Sequence, residues 1–101
     1  MNQLQQLMAQ SQKMQRQLNK AMAELNEKEF NVTKSGAVTV TMFGSHKIKS
    51  IEVDDDAFEK ENKDMVLELI RLAVDDLLAQ IAEEKEKINE AITGSRNGFG
   101  F

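Results

Sequence analysis

The sequence has no cysteine, no proline, no tryptophan, no tyrosine and a single histidine in 101 residues. Without cysteine there is no disulfide, no thiolate metal site and no thiol nucleophile. His46 lies beside a turn within a strand pattern, and none of Ser11, Ser35, Ser45, Ser50 and Ser95 sits in a G-x-S-x-G elbow. Phosphate-binding loops of the G-x-G-x-x-G or Walker type are missing as well. These absences leave an enzyme little chemistry, so no catalytic residue, no cofactor and no metal is expected. No apolar run approaches the roughly 20 residues of a membrane span. Met1-Asn2-Gln3 lacks the basic-then-apolar layout of a signal peptide. The expectation is a cytoplasmic protein with no membrane and no small-molecule substrate.

What is present starts with a long helix over about residues 2–26. Leu4, Leu7, Ser11, Met14, Leu18, Ala21 and Leu25 recur at alternating steps of three and four, a heptad seam that is apolar except at Ser11. Such a helix is roughly 38 Å long. A compact domain of this size has a radius of gyration of only about 13 Å. The helix is therefore expected to project as an arm or to be covered by another chain. A single small domain buries a limited share of its surface, which favours dimerisation as a way to enlarge the core.

The net charge is −4, which taken alone argues against a nucleic-acid binder. Its distribution is uneven. Residues 1–51 hold seven Lys/Arg against three Asp/Glu, residues 52–90 hold five against fourteen, and Arg96 follows. The first 23 residues carry Lys13, Arg16 and Lys20 and no acid. On a helix these three fall within about 60° of one another. They are interleaved with Gln10, Gln12, Gln15 and Gln17. The plain reading is a solvated face that aids solubility. The sharper reading is a face that tracks phosphates, where cations and amides bond phosphate oxygens without reading base sequence.

From Phe30 to Val53 the period becomes two. Phe30 and Val32 form a short strand, Ser35-Gly36 a turn, and Val38, Val40 and Met42 alternate with Thr39, Thr41 and Phe43. After Gly44-Ser45 a third run carries Ile48, Ile51 and Val53. The step of three from Ile48 to Ile51 predicts a β-bulge near Lys49-Ser50 if all three face the core. A three-stranded antiparallel meander needs a helix or another subunit over its apolar face. Asp54-Asp55-Asp56 reads as a solvated strand exit, since no EF-hand pattern follows, and Ala57-Phe58 is expected to tuck an aromatic against the sheet.

Asn62 is the expected N-cap of a second long helix over about 63–92, stopped by Gly94. Its first half is apolar on a wide arc, with Ile70, Val74, Leu77, Leu78 and Ile81 as the expected dimer seam. Its second half thins to Ile81, Ile88 and Ile92 among Glu83, Glu84, Lys85, Glu86 and Lys87, and is expected to form a second arm. Residues 94–101 are Gly-rich and expected to be flexible, with Phe99 and Phe101 as two apolar anchors.

Gln12-Lys13-Met14-Gln15-Arg16-Gln17 in a long first helix, the Ser35-Gly36 and Gly44 turns, and Ile51-Glu52-Val53-Asp54 before one long helix resemble the YbaB/EbfC family of bacterial nucleoid-associated proteins. The resemblance covers nearly the whole chain as one domain. It implies an α+β protomer of α-β-β-β-α order, forming a homodimer with protruding helical arms. It further implies a cytoplasmic, nucleoid-located protein that binds DNA with little sequence preference, in nucleoid organisation and gene regulation. Carried onto this sequence, the DNA-binding residues are Lys13, Arg16 and Lys20 with Gln12 and Gln17. Two features depart from the family: the tail has no proline, and the second helix is strongly acidic. The rival expectation is a protein-interaction module that grips a partner through the apolar arm seams.

Overall fold

The computed structural model describes residues 2–94. Helix α1 (Gln3–Glu27) is followed by strands β1 (Glu29–Lys34), β2 (Val38–Phe43) and β3 (Ile48–Val53) and by helix α2 (Lys63–Thr93). Two 3-10 turns, Asp55–Ala57 and Lys60–Asn62, lead into α2. The molecule is 71 Å long with a radius of gyration of 19.5 Å, well above the ~13 Å of a compact chain of this length. The helices project beyond the sheet, as the long seam of α1 predicts.

The sheet is an antiparallel meander in the order β1-β2-β3. Ser35 and Gly36 both take positive φ, and the Ala37 N–H donates to Lys34 O at 2.9 Å. That is a type I′ hairpin turn, whose twist matches the flanking strands. Between β2 and β3, Thr41 pairs with Ser50 but Met42 pairs with Ile48, so Lys49 is the extra residue of the expected bulge. The bulge keeps Ile48, Ile51 and Val53 opposite Met42, Val40 and Val38, on one face.

That face is only partly covered by its own chain. Val38, Val40 and Met42 on β2 and Ala73, Leu77 and Ile81 on α2 are enclosed, and Leu25 and Phe30 join them. On β3, Ile48 and Ile51 remain 48% and 45% exposed. Helix α2 thus lies over β1 and β2 and leaves the third strand's apolar side chains half open. Phe58 does not tuck against the sheet as expected: it is 72% exposed, and Ala57 takes the buried place. Asn62 ends a 3-10 turn in αR geometry and its side chain makes no capping bond. The preceding turn already leads the chain into the helix, so the sequence signal for a cap has no geometry to act on.

At the other end of the fold Gly44 fixes the arm. Its N–H donates to Lys28 O at 2.9 Å, and the Ser45 N–H to Asn26 O at 3.3 Å. The β2–β3 turn thereby satisfies carbonyls at the C-terminal end of α1. A Cβ on Gly44 would stand 1.9 Å from the Leu25 carbonyl oxygen. Gly44→Ala is expected to destabilise the fold by about 3 kcal/mol, lowering the melting temperature by about 10–20 °C. Thermal unfolding followed by circular dichroism measures this, and an unchanged melting temperature would show that the arm is not clamped at this contact.

Candidate nucleic-acid interface

Helix α1 forms because its 25 residues include neither Gly nor Pro and are rich in good helix formers. Its start is capped by Asn2, whose Oδ1 accepts from the Gln5 N–H at 2.8 Å. The C-terminal part of its seam packs on the body: Leu25 is buried and Met22 packs against the core. Lys13, Arg16 and Lys20 are exposed, as are Gln12 and Gln17. At 100° per residue the three cations sit roughly opposite the seam, with one glutamine on each side of the stripe. Burying the seam against α2 therefore turns the cations outward. From Lys13 to Lys20 the stripe runs about 10 Å along the axis.

Elsewhere among the described residues, five of the nine cations are held by acids. Lys28 meets Glu84 at 3.2 Å, Lys34 pairs with Asp76, Lys49 with Glu29, and Lys87 meets Glu83 at 3.7 Å. Arg71 bonds Glu68 and also Asp75, the latter at 3.0 Å. The hydrogen bond from Arg71 holds the Glu68 carboxyl below its usual range, and the same bond raises Arg71. Among the described residues, no acid pairs with Lys13, Arg16 or Lys20. The α1 stripe is thus positive potential left uncompensated, whereas Lys85 and Lys87 on α2 stand among Glu83, Glu84, Glu86 and Glu90.

A model of the YbaB/EbfC DNA-binding family matches residues 1–96. The chain belongs to the YbaB/EbfC family. Among its relatives, a nucleoid-associated protein of Enterococcus faecalis is 36% identical over 98% of this chain and 96% of its own length. Another from Clostridium novyi is 38% identical over 94% of this chain and 84% of its own. One from Malacoplasma penetrans is 26% identical, covering 86% and 93%. The helix–meander–helix order expected from the resemblance is the order observed.

Within this YbaB/EbfC protomer the expected dimer seam divides. Leu77 and Ile81 are 0% exposed in the single chain, enclosed by its own sheet. They belong to the protomer core and are not free to meet a partner. Ile70 and Val74 are half-buried and Leu78 is 40% exposed. Leu67, on the apolar arc of α2 but outside the expected seam, is 56% exposed, and Ile48 and Ile51 on β3 are open as well. Together with Val53, Ala57, Phe58, Val66 and Ile70, Leu67 lines an open apolar groove of about 390 Å³. The signal for this was the width of the apolar arc on α2, which exceeds what one small sheet can cover.

The remaining candidates carry little. His46 is exposed in the β2–β3 turn with φ 74°, and its N–H donates to Phe43 O at 2.8 Å. Among the described residues no group of three His, Asp or Glu is placed to hold a metal ion. No described helix is long and apolar enough to cross a membrane. Phe99 and Phe101 lie outside the described residues.

Proposed function

We propose that this protein is a non-enzymatic, homodimeric nucleoid-associated protein of the cytoplasm that binds double-stranded DNA through the α1 stripe. Lys13, Arg16 and Lys20 contact phosphates, and Gln12 and Gln17 add neutral donors. The observation that carries this reading is the uncompensated, outward-facing cation stripe in a chain whose family is DNA-binding. Over about 10 Å of duplex axis there are about six phosphate charges, so three cations on one helix face match one side of the backbone. Contacts to phosphates carry no sequence information, so sequence preference is low and the role is in packaging and regulation.

Dimerisation is supported by the apolar band the protomer leaves open. Ile48, Ile51, Phe58, Leu67 and Leu78 are each at least 40% exposed, and a band of that kind is an interaction surface. The seam proposed here is Ile70, Val74 and Leu78 on α2, extended by Leu67, Phe58 and β3. Two copies double the stripe to six cations.

Binding of a labelled arbitrary duplex over a salt series tests the reading. At about 0.9 counterions released per contact, six contacts give a log–log slope of up to about −5, and three give about −2.7. The rival reading has a partner protein's helix lying along the exposed Leu4, Leu7 and Met8. Such a complex would persist as salt is raised. Absence of duplex binding at low salt would overturn the DNA reading for this acidic member.

A further inference from the structure

The tip of α1 carries an apolar face that the described residues leave open. The two helices run antiparallel, with Lys28 beside Glu84 and with Ala21 and Leu25 sharing a groove with Ile88. Counting one residue up α2 for each residue back along α1 places Gly94 beside Leu18. From there α1 continues to Gln3, an overhang of about 22 Å. On it Leu4, Leu7 and Met8 are 65%, 63% and 55% exposed. Ser11 is exposed as well, and Met14 is half-buried.

We infer that this face pairs with the same face of α1 from a second copy of the chain, the two helices running antiparallel. The placement of its one polar residue selects this occupant. Leu4, Leu7, Ser11 and Met14 follow the heptad spacing and are symmetric about residue 9. Antiparallel alignment about that residue sets Leu4 opposite Met14 and Leu7 opposite Ser11, each contact occurring twice, as a two-fold interface requires. Parallel alignment would set Ser11 on Ser11 and bury two hydroxyls together. The flanks are uncharged. Met8 and Gln15 border the face on one side, and Gln3, Gln10 and Gln17 on the other, so two copies approach without like-charge repulsion. Lys13, Arg16 and Lys20 lie on the opposite side of the helix and stay open. Each body sits at the C-terminal end of its α1. In the antiparallel pair the two Leu25 residues therefore stand about 48 Å apart, too far for the α2 seam to join the same two chains. The pair thus links separate dimers and turns their cation stripes to opposite sides, so that two duplexes are held together. This last step rests on the DNA reading, whereas the pairing does not.

With no native cysteine, disulfide trapping reads the alignment directly. Leu7→Cys and Ser11→Cys, as two full-length single variants mixed in equal amounts, are oxidised mildly without DNA, and the linked tryptic peptides are weighed by mass spectrometry. The product joining positions 7 and 11 is expected to exceed either like-with-like product at least about tenfold, where random collision gives about twofold. Ala9→Cys, on the cation side, is the control and is expected to cross-link at least about tenfold more slowly. Adding Leu4→Gln and Met8→Gln to both variants, at exposed positions where glutamine keeps the helix, is expected to return the mixture to the random ratio. A random mixture from the start, a predominance of like-with-like products, or no product between copies would overturn the inference, the last by leaving the face to a foreign helix. Bridging is read separately, as recovery of a labelled duplex on an immobilised one. Leu4→Gln with Met8→Gln is expected to abolish recovery and to leave affinity for a single duplex within about twofold, since neither residue belongs to the stripe. Trapping without any duplex binding would overturn the DNA reading and support the pairing alone. Duplex binding and trapping without recovery would overturn the bridging.

Discussion

Changing Lys13, Arg16 and Lys20 together to Glu is expected to reduce affinity for duplex DNA at least about 100-fold at 0.1 M salt. The estimate follows from counterion release: each phosphate contact contributes close to one order of magnitude at that ionic strength, and three are lost per protomer. Reversal adds repulsion, since three acids then face the backbone on a helix tip that had none. The fold should not change. All three side chains are exposed and the seam that seats α1 is on the other face. The measurement is fluorescence anisotropy of a labelled duplex, with circular dichroism confirming equal helix content. Wild-type affinity in the triple variant would place DNA elsewhere on the molecule.

Leu77→Asp and Leu78→Asp are expected to differ completely, although the residues are adjacent. Leu77 is fully enclosed between α2 and the sheet. Losing a core leucine alone costs about 2–5 kcal/mol, and a carboxylate left there has no cation to pair with. The total exceeds much of the roughly 5–15 kcal/mol that holds a domain together, so Leu77→Asp should unfold the chain. Leu78 points about 100° further round the helix and is 40% exposed. Leu78→Asp should leave the protomer folded and separate the dimer, because the charge enters only the proposed seam. Sedimentation would then report 11.4 kDa where the unaltered protein is expected to sediment at twice that mass. A folded, undissociated Leu78→Asp protein would move the interface to another face. A folded Leu77→Asp protein would contradict the enclosed position of Leu77.

These two experiments interlock. DNA binding at six contacts needs both copies, so Leu78→Asp should also flatten the salt slope from about −5 towards about −2.7. If the variant is monomeric yet keeps the full slope, the stripe of one protomer does not act with that of its partner. Exposed ion pairs such as Arg71 with Glu68 are not expected to matter to either outcome, since surface pairs of this kind contribute little.

The sequence by itself determined the elements and their local geometry. The heptad seam of α1, the alternation in β2 and the step of three from Ile48 to Ile51 each depend on residues a few places apart, so periodicity reads them directly. The bulge at Lys49 followed from that step, and the grouping of Lys13, Arg16 and Lys20 on one stripe from their spacing of three and four. The family followed from strings of the same local kind. What only the tertiary structure decided is which apolar residues the chain covers for itself. Leu77 and Leu78 carry the same side chain, and only the seating of α2 over β1 and β2 encloses one and leaves the other open. Phe58 looked like an anchor because aromatic side chains favour burial, but the smaller Ala57 occupies the space beneath the turn. The contact of Gly44 with Leu25 and the pairing of Lys28 with Glu84 join residues far apart in the chain. No local pattern encodes them. They arise from the packing of whole elements, and that packing sets the direction of the arm and the face it turns to solvent.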